Sequence, residues 1–426
     1  MIPVRAALLA GLLAAVCGSA AAQQRAERCR VQLVFAQDSA GVLGQTYFAS
    51  GGVRLRCAGQ AVTMETDSVL AHPSGDVEFH GYMRYRDTTV AIDAQRAYYR
   101  KATETWEARG NVVVRDLETG STMRGPTIDY FRAAAGMRDS SEVYATGRPR
   151  VEYYDVSADS VAGSEREPYI IVADRLRSRG KGLVWAGGRV TIDRSDLSAR
   201  GDSMMLDTGT GDEGMLAGEP LFRGLGSDSF DLRGSRIDFR LAKRRIQHVR
   251  AGDRGRLVRA DWNLAADTIA IDVDSGKVQH MAAWGSRSRA DVTSDRYAVK
   301  ADSVEFETPA QVLTQIRAYG KAWVSSRPDS ARSEPDWMAG DTVVADFARR
   351  AGDSAQSSLS RLAAKRDARS FRQVASDESG RPPALAYVTG DAITVIMKPG
   401  DAEAVERVEV VGQVEGVQLD PRGTER

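Results

Sequence analysis

The stretch Ala173-Asp174-Arg175-Leu176, followed shortly by Gly188-Arg189-Val190-Thr191-Ile192, contains the two elements of a pattern that recurs along the chain. The first element is a small residue, usually Asp, with an aliphatic residue two places later. The second element is a Gly that opens an apolar segment. Apolar side chains at steps of two, with polar ones between them, are typical of a strand with one buried face. The stretch therefore predicts a pair of short strands.

The first element is present ten times, with a period of about 30 to 40 residues. One pair of strands cannot bury its own apolar face, whereas a stack of pairs can. We therefore predict an all-β repeat architecture. The copies are Thr66-Asp67-Ser68-Val69, Ala94-Gln95-Arg96-Ala97, Gly125-Pro126-Thr127-Ile128, Ala173-Asp174-Arg175-Leu176, Gly201-Asp202-Ser203-Met204, Gly234-Ser235-Arg236-Ile237, Ala266-Asp267-Thr268-Ile269, Ala301-Asp302-Ser303-Val304, Gly340-Asp341-Thr342-Val343 and Gly390-Asp391-Ala392-Ile393.

The composition is that of a globular chain whose formal net charge is zero. Of 426 residues, 42% are hydrophobic and 7% aromatic, and 58 basic side chains balance 58 acidic ones. This balance gives no reason to expect a nucleic acid as partner. After residue 22 no run is long and apolar enough to cross a bilayer as a helix.

Changes in the pattern divide the chain into six segments. Residues 1–22 are interpreted as a signal peptide, 23–50 as an N-terminal segment with the first strand, and 51–348 as the repeats. Residues 349–386 are interpreted as a flexible basic insertion with one degenerate repeat, because Leu359-Ser360-Arg361-Leu362 echoes Leu313-Thr314-Gln315-Ile316. The final repeat occupies 387–416, and 417–426 form a polar tail. We expect a further interruption, 158–168, to be an exposed loop.

The first residues are typical of a secretory signal. Arg5 precedes an apolar run from Ala6 to Val16, and Ala20-Ala21-Ala22 forms a small-residue cleavage site. The alternative is a lipoprotein signal with Cys17 as the lipidated residue, against which the large Val16 argues. Secretion would place Cys29 and Cys57 in an oxidising compartment, and both lie at the ends of predicted strands. A disulfide between them is our hypothesis, with a stabilisation of roughly 3 to 4 kcal/mol.

Little in the sequence is typical of an enzyme. His80, His248 and His280 each lie just before a repeat Gly, which favours a structural position over a metal or general-base role. The string Gly209-Thr210-Gly211-Asp212-Glu213-Gly214 matches a dinucleotide fingerprint, but its flanks have strand patterns, so we interpret it as a hairpin turn. No catalytic residue, metal site or cofactor is predicted.

Two repeated side chains allow a structural and a functional interpretation. The Asp of the first element could line up along a stack and bind Ca²⁺. Gln95, Pro126 and Ser235 in the same position instead favour a strand-entry residue that bonds to nearby backbone N–H groups. Trp106, Trp185 and Trp284 precede a repeat Gly, and core packing is the expected role for them.

These motifs resemble the OstA-like family, which includes the periplasmic lipopolysaccharide-transport protein LptA and the N-terminal domain of the outer-membrane transport protein LptD. The resemblance spans roughly residues 50 to 415 and is carried best by Gly52-Val53-Arg54-Leu55, Thr66-Asp67-Ser68-Val69, Gly110-Asn111-Val112 and Ala173-Asp174-Arg175-Leu176. It implies an open β-jellyroll, in which two V-shaped sheets of stacked short strands hold the acyl chains of lipopolysaccharide. The chain departs from the pattern in being about twice as long as one bridge module.

The expected function is therefore a non-enzymatic periplasmic conduit, free or associated with the outer membrane, for lipopolysaccharide or a related acylated lipid. One strand per unit in each sheet would give ten rungs and a groove of about 48 Å. Unpaired strands at the two ends could dock other jellyroll proteins of the lipopolysaccharide-transport bridge. Arg54 and Arg189 are candidates to meet lipid phosphates at the rim. The predicted groove lining is Val112, Val114, Ile128, Tyr130, Val190, Ile192, Met204, Leu206, Ile237, Phe239, Ile269, Ile271, Val304 and Phe306.

Two other functions remain open at this point. One is a structural envelope scaffold whose own side chains fill the groove. The other is a secreted polysaccharide-active enzyme on a parallel β-helix, which should show shorter, more uniform rungs and a catalytic cluster on one face.

Overall fold

A computed structural model describes residues 29–420 except 155–166, 181, 208, 210–211, 226–228, 243–244, 261, 275–276, 310–311, 327–333, 351–352, 375–382 and 399–400. The predicted signal peptide lies outside the described residues, as does most of the loop at 158–168. The described residues form strands and no α-helix, which confirms the all-β prediction.

The strands follow one another with short connections. They are β1 (Val31–Phe35), β2 (Ser39–Leu43), β3 (Thr46–Cys57), β4 (Thr63–Ala71), β5 (Val77–His80), β6 (Met83–Arg86), β7 (Val90–Ala94), β8 (Arg96–Arg100), β9 (Thr105–Asp116), β10 (Thr122–Phe131), β11 (Glu142–Thr146), β12 (Arg150–Tyr153), β13 (Tyr169–Val172), β14 (Arg175–Arg179), β15 (Leu183–Arg194), β16 (Leu197–Asp207), β17 (Glu213–Ala217), β18 (Leu221–Gly224), β19 (Phe230–Arg233), β20 (Arg236–Ala242), β21 (Arg245–Val258), β22 (Trp262–Asp274), β23 (Lys277–Trp284), β24 (Ala290–Ser294), β25 (Tyr297–Ala301), β26 (Ser303–Glu307), β27 (Gln315–Ser326), β28 (Trp337–Arg350), β29 (Asp353–Val374), β30 (Ala384–Lys398), β31 (Asp401–Val411) and β32 (Glu415–Leu419).

Antiparallel pairing joins these strands into one sheet that folds into two layers. Long strands such as β15 and β16 pair in both layers, and their register shifts where they cross, between Gly187 and Val190. The long strands contribute one half to each layer, as β3 does with its first half and β4 with its second half in layer A; they are β3, β4, β9, β10, β15, β16, β21, β22, β27, β28, β29 and β30. Besides these halves, layer A contains β2, β5, β8, β11, β14, β17, β20, β23, β26 and β31. Layer B contains the other halves together with β1, β6, β7, β12, β13, β18, β19, β24, β25 and β32.

Each layer contains more strands than the sequence predicts, so the stack is longer than expected. Each repeat unit adds two strands to each layer, not one, so that each layer has twenty-two strands among the described residues. At the usual spacing between strands the stack is about 100 Å long, so the expected ten rungs and 48 Å were wrong. The antiparallel pairing also contradicts the parallel β-helix that the enzyme alternative required.

A recurring contact between Asp and Gly forms the corner between the two layers. The backbone N–H of Asp174 donates to the carbonyl of Gly188 at 2.8 Å, and the Asp302 N–H donates to the Gly320 carbonyl at 3.1 Å. Gly188 has a φ of +77°, and a Cβ there would lie 2.5 Å from Oδ2 of Asp174. The repeated Asp thus contacts the Gly of the neighbouring strand, which is the contact expected of a structural strand-entry residue.

Side chains from both layers form one continuous core. Residues at an even number of positions from the corner Gly point inward, as Val112 and Val190 do two residues after Gly110 and Gly188. Trp106, four residues before Gly110, is buried for the same reason. Trp284 directly precedes Gly285 and is 38% exposed, so core packing was the wrong expectation for it.

The segment 349–386 contains more regular structure than one degenerate repeat. Strand β29 extends over 22 residues and pairs with both β28 and β30. Ala364 and Ala368 are fully buried on either side of its register shift. The low aliphatic content of this segment conceals the strand, because its inward positions are occupied largely by Ala.

We predict that the corner glycines tolerate a methyl group worse than other glycines with the same backbone. Gly188→Ala should lower the free energy of unfolding by about 1 to 2 kcal/mol because Ala disfavours the left-handed backbone. The clash of its methyl group with Asp174 should lower it by about 1 to 3 kcal/mol more. The matched control is Gly120→Ala, since Gly120 has a φ of +78° and no atom within 4 Å of a Cβ. Urea unfolding of the mature chain, followed by tryptophan fluorescence, measures both losses. Equal losses would show that the Asp contact is unimportant.

Asp267 should contribute a stabilisation that depends on pH. The Ser288 hydroxyl donates to its Oδ1 at 2.6 Å, and the backbone N–H groups of Arg287 and Ser288 donate to its Oδ2 at 2.7 and 3.2 Å. These bonds favour the carboxylate and lower the pKa of Asp267 to about 2. Because the pKa is lowered on folding, the stabilisation is complete above about pH 4 and is lost as the pH falls to about 2.

We expect Asp267→Asn to unfold more readily than the unmodified chain at pH 5, and the difference to shrink towards pH 2. Thermal unfolding across this range measures it. Asp295→Asn, at an exposed turn, serves as the control and should follow the unmodified chain. A difference that stays constant with pH would contradict the role of the Asp267 charge.

Candidate functional site

An apolar cleft lies between the two layers in the middle of the stack. Its cavity volume is about 40 Å³. The cleft is therefore narrow. Its lining is Tyr153, Tyr169, Ile171, Ile192, Leu197, Ala199, Met204, Leu206, Leu216, Phe222, Phe239, Leu241 and Ile246.

Strand β16 contributes to both walls because it bends at the corner. Leu197 and Ala199 lie on it before the bend, in layer B, while Met204 and Leu206 lie after the bend, in layer A. The missing side chain of Gly214 leaves the space that the Phe239 ring occupies. The cleft thus follows directly from the alternation of inward residues along bent strands.

Polar groups at the rim of the cleft bond to one another. The Arg194 guanidinium donates to the Tyr169 hydroxyl at 2.7 Å and lies over the Tyr169 ring, 4.4 Å from its centroid. It also pairs with Asp196, and this hydrogen bond raises the pKa of Arg194 above its ordinary value. The interior of the cleft is lined mainly by apolar side chains, so its surface suits an alkyl chain.

A second, smaller cavity lies further towards the C-terminal end. It has a volume of about 20 Å³ and is lined by Phe230, Leu257, Arg259, Ile271, Val278, Met281 and Thr308. Next to this cavity the rings of Trp262 in layer B and Phe306 in layer A stack on each other, with their centroids 5.4 Å apart. The interior therefore alternates between open and filled sections.

All of the predicted lining residues are buried between the layers. The structure brings Ile192, Met204, Leu206 and Phe239 together in the first cleft and places Ile271 in the second cavity. The remaining predicted residues lie in packed parts of the core. Sequence reasoning missed Leu197 and Ala199, although the alternation Leu197-Ser198-Ala199 could have identified them.

The two arginines expected at the rim lie elsewhere. Arg189 follows the corner Gly188 and forms an ion pair with Asp174 at 2.7 Å, on the closed side of the two layers. Arg54 lies over the Phe35 ring, 5.7 Å from its centroid, on the outer face of layer B. The expectation was wrong because the Gly that precedes each segment marks the corner and not the open edge.

The histidines pair with carboxylates on the outside of layer A. Asp272 accepts hydrogen bonds from Nδ1 of His248 at 2.7 Å and of His280 at 3.2 Å. Although partial burial acts in the opposite direction, these bonds lower the pKa of Asp272. Within the described part of the chain, no three His, Cys, Asp or Glu side chains are placed to hold a metal ion.

Aromatic rings fill the interior between β3 and β11, where the stack begins. Trp106 lies between Tyr85 and Tyr99, with ring centroids 4.8 and 4.7 Å away, and Phe79 lies at 5.3 Å. Tyr130 is next to Tyr85, and all five side chains are at most 2% exposed. We call this part of the interior, from Cys29 to Ala145, the cap.

Polar contacts close the open edge of the cap. The Glu104 side chain is fully buried and accepts hydrogen bonds from the backbone N–H of Cys29 at 2.8 Å and from Arg132 at 3.3 Å. Arg132 also donates to Gln60, which lies in the turn between β3 and β4. Cys29 is joined to Cys57 by a disulfide. These contacts connect the turns of layer A to those of layer B.

Comparisons with known proteins add little to this description. No family model matches the sequence, and no curated protein matches it. Among solved structures, the chain is similar to LptH from Pseudomonas aeruginosa, described as the LptA homologous periplasmic component of the lipopolysaccharide transport device. The identity is 14%, the match covers 26% of this chain and 83% of that chain, and the TM-score is 0.23. A match of this quality supports no argument about function.

Within the described ranges, no helix has the length and apolar character that a membrane span requires.

The buried pair of Glu104 and Arg132 gives a prediction for the stability of the cap. Arg132→Met should lower the free energy of unfolding by about 3 to 5 kcal/mol, because it leaves the Glu104 carboxylate buried without its counter-charge. The double variant Glu104→Gln with Arg132→Met should recover most of this loss, since the Gln carbonyl can still accept from the Cys29 N–H. Urea unfolding measures both variants. A double variant as unstable as Arg132→Met would contradict the buried charge as the cause.

Proposed function

We propose that this chain is a non-enzymatic lipid-binding conduit of the periplasm. Its cleft would hold the acyl chains of lipopolysaccharide or a related acylated lipid on the way to the outer membrane. The observation that carries the proposal is the apolar cleft between Tyr153 and Ile246, whose lining offers hydrophobic and aromatic side chains from both layers. The sequence resemblance to the OstA-like family and the secretory signal predicted at 1–22 support it independently.

Burial of an alkyl chain supplies enough free energy for such binding. Each methylene transferred from water contributes about 0.8 kcal/mol, so that ten of them contribute about 8 kcal/mol before the cost of ordering the chain. The narrow cleft must widen to accept them. Because the layers are hydrogen-bonded to each other along the corner, they can separate at the opposite edge without breaking corner bonds.

The two ends of the stack support the proposed partners. Leu33, Val34 and Leu43 are exposed on β1 and β2, and Val411, Val417 and Leu419 are exposed on β31 and β32. Each of these strands has a partner on one side only among the described residues. An unpaired edge next to apolar side chains suits the addition of a strand from another jellyroll protein.

A structural scaffold remains the second candidate, and the cap is the observation that favours it. There the interior is filled by the chain's own aromatic rings. The two candidates differ in whether the cleft takes up a lipid.

Native mass spectrometry of the mature chain, purified gently from a Gram-negative periplasm, tests the proposal. We expect an acylated lipid to co-purify and to be released on denaturation. The variant Ala199→Phe, which places a ring in the cleft, should reduce the bound fraction by about tenfold or more. The matched control is Ala282→Phe on the outer face of layer A, which should leave lipid binding unchanged. A lipid-free mass that does not change when lipid A is added would favour the scaffold.

A further inference from the structure

The cap and the cleft belong to the same two layers but differ in what fills the space between them. In the cap, Phe79, Tyr85, Tyr99, Trp106 and Tyr130 occupy that space and are essentially inaccessible. In the cleft, aromatic side chains such as Phe222 and Phe239 alternate with smaller ones such as Ala199 and Leu216, and empty volume remains between them. The transition falls between Ala145 on β11 and Tyr153 at the end of β12.

The open edge of the cap is also held shut by bonds between the layers. Glu104 on the layer A side accepts from the backbone of Cys29 on the layer B side, and Arg132 donates to Gln60. A little further along, the Tyr130 hydroxyl of layer A and the Tyr85 hydroxyl of layer B both donate to Asp87, at 3.5 and 2.9 Å.

The tyrosines of this closure remain neutral donors. Burial is the main cause that raises the pKa of both Tyr85 and Tyr130 well above the ordinary tyrosine value. The disulfide between Cys29 and Cys57 fixes the strand that supplies the Cys29 N–H. Opening the cap therefore requires breaking the hydrogen bonds that cross between the layers, from the Cys29 N–H to Glu104, from Arg132 to Gln60 and from Tyr130 to Asp87.

We propose that the groove is blind at its N-terminal end. Acyl chains occupy the cleft from Tyr153 to Ile246 and never pass through the cap, so the cargo enters and leaves through the open edge of the cleft. The exposed strands β1 and β2 can then dock a partner by backbone pairing without passing lipid to it. This proposal rests on the lipid-binding function proposed above, and it adds the section of the groove that binds the cargo and the edge through which the cargo passes.

Methionines at matched positions allow a test within one molecule. Met204 is buried in the cleft, Met64 and Met83 are buried in the cap, and Met205 and Met215 lie on the outer face of layer A. The chain is produced with photo-methionine in place of methionine, loaded with purified lipid A and irradiated. Peptide mass spectrometry then locates the lipid adducts. Thermal unfolding confirms that the labelled chain is folded.

We expect the adduct at Met204 to exceed those at Met64 and Met83 by about tenfold or more, with Met205 and Met215 giving the background. Adducts at Met64 or Met83 comparable to that at Met204 would overturn the blind end and leave the lipid-binding function standing. Adducts at background level throughout would instead remove the lipid-binding function, and the blind end with it.

Discussion

Every strand that passes from one layer to the other must turn a corner without leaving a backbone N–H or C=O unpaired between the layers. The repeated Asp and Gly meet this constraint together. The Gly adopts a left-handed backbone that lets the strand bend, and its carbonyl accepts from the N–H of the Asp on the neighbouring strand, as in the pair of Asp174 and Gly188. The Asp side chain fills the space next to the Gly. Once the corner is fixed, the alternation of side chains decides which residues enter the interior.

The same alternation explains how far the sequence was informative. It located the corners and the inward positions, and it predicted the all-β fold, because the strand period is local information. It gave the wrong number of rungs, since the pairing of β5 with β8 and of β6 with β7 is not encoded in the spacing of one motif. The prediction placed Trp284 in the core, but Trp284 lies one residue before Gly285, and residues at an odd number of positions from the corner Gly point outward. The closure at Glu104 could not be predicted, as Cys29 and Glu104 are 75 residues apart in the chain.

Filled and open sections of the interior use one backbone plan. Aromatic rings between β3 and β11 pack against one another and fill the space between the layers, whereas the side chains around Ala199 and Met204 leave part of it empty. The packing of the inward side chains therefore sets where a ligand could be accommodated. The fourteen predicted lining residues are all buried between the layers, yet only five of them border empty space. Sequence periodicity identifies the inward face, while the fit between facing side chains depends on pairs that are distant in the chain.

The two ends of the stack differ in how firmly their strands are held. Each rung contacts only its neighbours, so the stability of the array is close to a sum of local terms, and loss of structure can propagate from a terminus. The first rungs are anchored by the disulfide of Cys29 and Cys57 and by the buried Glu104. The last strand, β32, has all five residues exposed and pairs only with β30 among the described strands. Fraying therefore begins at the C-terminal rungs, and a protein that docks there protects strands that are otherwise the first to open, at the cost in affinity of ordering them.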